Sequence, residues 1–98
     1  MAKGYWVIAW GTITDPAAAG RYVAPATDAI VSHGGRVVAG GDPVRVYEAG
    51  RQSRIVVVEF DSVEAAIAAY ESPDYQASLT HLAGAAERDV RIIGGTGP

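Results

Sequence analysis

The chain has 98 residues, eight basic and eleven acidic, with a net charge of -3 and a pI near 5.2. Scattered arginines on an acidic background exclude the basic stripe that nucleic-acid binding needs. The absence of cysteine excludes disulfides, a thiolate nucleophile and Cys-type zinc. Half the residues are apolar, as in folded globular proteins, and the length suits one domain over residues 1–98. Such a chain lies near the small end of what one core stabilises alone, so a partner copy would help. No apolar run approaches ~18 residues. Met1-Ala-Lys leads straight into a strand without a signal-peptide pattern, so the expected location is the cytoplasm. Arginine-rich, alanine- and glycine-rich usage hints at a bacterial genome of high GC content.

The first strand is expected over Tyr5 to Thr12. It alternates Tyr5, Val7, Ala9 and Gly11 with Trp6, Ile8, Trp10 and Thr12, and both sets are apolar. Asp15-Pro16 supplies a helix N-cap followed by proline at the first helical position. The helix should run to about Ser32, with Tyr22, Val23, Ala26 and Ile30 facing the sheet, and with a kink or split near Ala24 because Pro25 interrupts it. Gly34-Gly35 ends the helix, and Arg36 to Gly40 enters the second strand. After the breakers Gly40 to Pro43, Val44 to Glu48 is expected to resume an extended edge, and Gly50 to Ser53 to turn. Ile55 to Phe60 reads as a strand apolar on both faces with one charge, Glu59. A helix begins at Asp61 or Ser62 and carries Val63, Ala66, Ile67 and Tyr70 as its apolar stripe. Ser72-Pro73 restarts a helix with Tyr75, Leu79, Leu82 and Ala86 inward, and Asp89 to Ile93 forms the last strand.

This order is the split β-α-β of ferredoxin-like α+β domains: a four-stranded antiparallel sheet with its helices on one face. The opposite face is expected to carry Trp6, Ile8 and Trp10, with side chains in the register of Val56 or Val57, and to pack on a twofold copy as a dimeric α/β barrel. The protein's expected partner is therefore itself, as a homodimer.

Gly4-Tyr5-Trp6, Thr14-Asp15-Pro16, Tyr22, His33-Gly34-Gly35-Arg36, Glu59-Phe60 and Tyr70-Glu71-Ser72-Pro73-Asp74-Tyr75-Gln76 together carry a resemblance. The chain resembles, over nearly its whole length, the family catalogued as domain of unknown function 1330 in the dimeric α/β-barrel superfamily. Two departures stand out. Ala69 replaces a bulky aromatic, and an arginine typical about two helical turns after the Tyr75 motif is missing, with only His81 and Leu82 nearby. If that arginine holds an anion in relatives, the resemblance implies a different ligand here, or none that is anionic. The family's activity is largely unassigned, so the resemblance implies a fold more than a chemistry.

Candidate catalytic groups are Glu59, His33 and Tyr75. A carboxylate in an apolar strand is either raised in pKa and useful for proton transfer, or paired with Arg36, Arg54 or a backbone amide. His33 precedes a helix end, where it either moves a proton or makes a capping contact. Tyr70, Ser72, Asp74, His81, Arg36 and Tyr5 are candidates for ligand binding, although Ser72 is also placed to cap a helix. Tyr47 could add a hydroxyl to a pocket, and His81 could stand in for the missing arginine. Trp6 and Trp10 read as dimer core rather than a cofactor stack. No H-x-x-x-H or H-E-x-x-H pair, dinucleotide fingerprint or G-x-S-x-G elbow is present, so no metal or cofactor is expected. Two uses remain open: a cofactor-independent enzyme acting on a small organic molecule by proton transfer, isomerisation, cyclisation or oxygenation, and a non-catalytic ligand-binding or structural dimer.

Overall fold

The computed structural model describes residues 2–97. Its elements run β1 (Gly4–Ile13), α1 (Pro16–Ser32), β2 (Arg36–Gly41), β3 (Ile55–Phe60), α2 (Val63–Tyr70), α3 (Pro73–Leu79) and β4 (Ala86–Gly94). The sheet is ordered β2-β3-β1-β4 with antiparallel neighbours throughout. This is the ferredoxin-like α+β fold expected from the element order.

Caps placed by the sequence set the helix starts. The Asp15 carboxylate accepts from the Ala18 amide at 3.1 Å, and the Ser62 and Ser72 hydroxyls accept from Ala65 and Tyr75 amides at the starts of α2 and α3. Contrary to the expected split, α1 is one continuous helix across Pro25, with Ala26, Ala29 and Ile30 buried beyond it. The expected burial of Val23 and Ile67 also fails, since both are exposed at the rim. Gly34 ends α1 with φ +81, and Gly35 lies so close to Phe60 that a methyl group there would come within 2.5 Å of the ring. Val44 to Glu48 is not a strand. Residues 42–54 form an exposed loop closed on itself by Gln52 Nε2 donating to the Pro43 carbonyl at 3.1 Å. β4 is longer than expected and takes in Ala86, which therefore belongs to the sheet rather than to α3.

Strand pairing assigns the two faces, and it reverses the expected assignment. Trp6 pairs with Val58 and Ile92, and Trp10 with Arg88, and these share the helix-covered face. Trp6 is fully buried, its Nε1–H donating to the Ala66 carbonyl at 2.8 Å and its rings packed on Phe60, Tyr70 and Tyr75. Trp6, Ile8 and Trp10 are thus intrachain core and cleft residues, not an exposed dimer face. The uncovered face carries Tyr5, Val7 and Ala9 beside Glu59, Val57 and Ile55, flanked by Ile93 and Arg36. No described helix is long and apolar enough to cross a membrane.

Candidate functional site

A cleft of ≈ 200 Å³ opens between α1 and the helix-covered face of the sheet. Ile8, Ala26, Ile30, Val56 and Val58 give it an apolar floor and wall, and Trp10, Tyr22, Arg54 and Arg88 add its aromatic and cationic groups. Clefts that enclose drug-sized ligands run ~300–1,000 Å³, so this one suits a single small molecule.

At one end Arg88 is held on three sides. Its guanidinium lies 5.1 Å from the Trp10 ring centre and 5.0 Å from that of Tyr22, within cation–π range. Its Nη1 donates to the Tyr22 hydroxyl at 3.1 Å, and Nη2 reaches the Tyr75 hydroxyl at 3.4 Å. The two phenol oxygens are themselves 2.5 Å apart. Burial, followed by the neighbouring Tyr75 phenol, pushes the Tyr22 phenol well above its ordinary value, so it stays protonated near neutral pH. Burial works against the Arg88 cation, but the two tyrosines facing it outweigh that and hold its pKa above the usual arginine value.

The expected site residues separate into three places. Tyr75 is fully buried behind Tyr22 and contributes to the cluster, with Tyr70 packed against it at 5.2 Å between ring centres. Ser72 is buried as the α3 cap and donates to the Ala69 carbonyl at 2.7 Å.

His33 and Asp74 meet away from the cleft lining, with His33 Nε2 at 3.0 Å from Asp74 Oδ1, tying the end of α1 to the start of α3. The nearby Ser72 hydroxyl, then the His33 ring, hold the Asp74 carboxyl down to about 2; since the Ser72 proton is given to the Ala69 carbonyl, His33 is the partner whose contact the geometry supports.

Glu59 lies on the uncovered face of the sheet. Arg36 Nη2 is 2.7 Å from its Oε1, and the Tyr5 hydroxyl donates to its Oε2 at 2.9 Å. Its carboxyl is lowered, first by the Tyr5 hydroxyl and then by Arg36, which overturns the burial-raised reading and supports the ion-pair reading. Arg36 and Tyr5 therefore serve that network and not the cleft. His81 does not line the cleft, and Tyr47 projects from the loop 75 % exposed. Among the described residues no cluster of three or more His, Asp or Glu side chains is arranged to hold a metal.

Arg88 and Tyr22 are the paired cleft residues that sequence reasoning missed. Arg88 is 66 residues from Tyr22 and 13 from Tyr75, so no local motif joins them. The one available signal was an arginine in the last strand on the parity of Val90 and Ile92, the face that turns inward. The cations lining the cleft are Arg54 and Arg88, and neither lies near His81 in sequence.

The fold is shared with solved proteins of low sequence identity. A protein of unknown function from Rhodopseudomonas palustris superposes with a TM-score of 0.74 at 15% identity, covering 99% of this chain and 85% of that one. SnoaB of Streptomyces nogalater, a cofactor-independent oxygenase, gives 0.67 at 13% identity, covering 100% and 97%. A dimeric ferredoxin-like protein of unknown function from Thermobifida fusca YX gives 0.63 at 17% identity, covering 95% and 91%. Among curated proteins none matches the chain by sequence. The profile of one family does match, over residues 3–96, and the chain accordingly belongs to the family described as Domain of unknown function (DUF1330).

Proposed function

We propose that the protein is a homodimer whose cleft between α1 and the sheet binds a small, largely apolar organic molecule. One observation carries the reading: a half-buried Arg88, paired with the hydroxyls of the buried Tyr22 and Tyr75, stands at the end of a largely apolar cleft. Burying a cation and two hydroxyls is costly unless they are paired, and pairing them with each other at a cleft mouth leaves oriented donors for a ligand. Dimerisation is supported by the uncovered sheet face, where Val7, Val57 and Ile93 have no covering element in their own chain, and by related folds described as dimeric. One domain over residues 1–98 and residence in the cytoplasm remain part of the proposal.

A second reading, catalysis without a cofactor, is favoured by the Arg88 and Tyr22 donors, which suit a developing negative charge on a substrate oxygen. The oxygenase of similar fold is consistent with it. In this reading Tyr22 replaces Glu59 and His33 as the group nearest the chemistry, with Tyr75 behind it.

Native mass spectrometry of the protein purified from its own cells tests the proposal. A dimer carrying an additional small-molecule mass, lost in Arg88→Met, is the expected result. A bare monomer unaffected by added small aromatic compounds would sink it.

A further inference from the structure

The proton arrangement in the tyrosine pair has a direction, and it specifies what the cleft binds, given that the cleft is the binding site. Tyr75 is fully buried and does not line the cleft, whereas Tyr22 does. Among the described residues the Tyr75 hydroxyl has two polar neighbours, the Tyr22 oxygen at 2.5 Å and Arg88 Nη2 at 3.4 Å. A guanidinium only donates, so the Tyr22 oxygen is the one acceptor within reach of the Tyr75 proton. The reverse arrangement, with Tyr22 donating to Tyr75, would strand the Tyr75 proton inside the core.

Tyr22 then accepts from both Tyr75 and Arg88 Nη1, which leaves its own O–H free to point into the cleft and polarises it as a donor. Arg54 is the second cation lining the cleft, and Thr27 spends its hydroxyl on the Val23 carbonyl. No carboxylate or imidazole is among the lining residues, so nothing there repels an anion.

We infer that Tyr22 and Arg88 form a two-donor clamp for an anionic oxygen on a small planar molecule, a phenolate, enolate or carboxylate, and that Tyr75 is the positioning residue that aims the Tyr22 proton. Tyr75 acts through Tyr22 and does not touch the ligand.

Para-nitrophenolate and its uncharged methyl ether, para-nitroanisole, separate the possibilities, because they share a shape and differ in the oxygen. The wild-type protein should bind the phenolate about tenfold or more tighter than the ether, the scale of one hydrogen bond to a charged group. The phenolate absorbance of the bound dye should also titrate at lower pH than that of the free dye. Tyr22→Phe should lower the preference several-fold, Tyr22→Phe combined with Arg88→Met should abolish it, and Tyr75→Phe should reduce it about threefold. Equal binding of the two probes overturns the clamp but leaves the cleft as a binding site. Binding of neither overturns both. A preference that survives intact in Tyr75→Phe, with folding verified by circular dichroism, overturns the positioning role.

Discussion

Substituting Trp6 tests the assignment of the sheet's faces, on which every statement about the cleft depends. Trp6 is fully buried, lying against Phe60, Tyr70 and Tyr75 with its indole N–H on the Ala66 carbonyl at 2.8 Å. Trp6→Ala should cost ~3–5 kcal/mol, a large share of the ~5–15 kcal/mol that stabilises a typical domain. Trp6→Phe keeps an aromatic ring but loses the hydrogen bond and part of the volume, for roughly 2 kcal/mol. That loss corresponds to a melting temperature lower by ~8–16 °C for a chain of this size. Urea unfolding followed by far-ultraviolet circular dichroism, at two protein concentrations and alongside sedimentation velocity, would read both effects. The expected result is a lower unfolding midpoint with association retained. Dissociation of the dimer with unchanged stability of the separated chain would place Trp6 at an interface and refute the face assignment.

Val7→Asp reports on the other face: it should dissociate the proposed dimer while the far-ultraviolet spectrum stays folded, and an intact dimer by sedimentation would count against the uncovered face as the interface. Gly35→Ala should destabilise by ~1–3 kcal/mol because the new methyl meets the Phe60 ring at 2.5 Å and Ile30 at 2.8 Å, and an unchanged urea midpoint would contradict that close approach. Ser72→Ala should cost ~0.5–2 kcal/mol through loss of the α3 cap, measured by the same unfolding curves. The Asp74 carboxyl, held at about 2 against an ordinary 3.8, is the stronger acid when folded. Its stabilising contribution is therefore complete above about pH 4 and is lost as pH falls through about 2. Melting profiles across that window should be steeper for wild type than for Asp74→Asn, and identical profiles would show that the carboxyl is not held by Ser72 and His33.

Much of this protein is local in origin, and the sequence alone determined that part. Asp15-Pro16, Ser62 and Ser72-Pro73 start helices where they stand, because a short side chain reaches only the amides of the next turn. The order of strands and helices then leaves the ferredoxin-like sheet as the arrangement that covers their apolar stripes. The tertiary structure decided what local pattern leaves degenerate. Alternation in β1 separates Trp6 from Val7 but is silent on which set the helices cover, since both sets are apolar; pairing with Val58 and Ile92 beneath α2 settles it. Glu59 likewise has one environment if its side of β3 is covered and another if it faces Arg36 and Tyr5 across neighbouring strands. The cleft's cation shows the same limit most clearly. Arg88 acquires its meaning from Trp10, Tyr22 and Tyr75, which come from three other elements, and a contact between distant parts of a chain is fixed only when the sheet register and helix packing are fixed together.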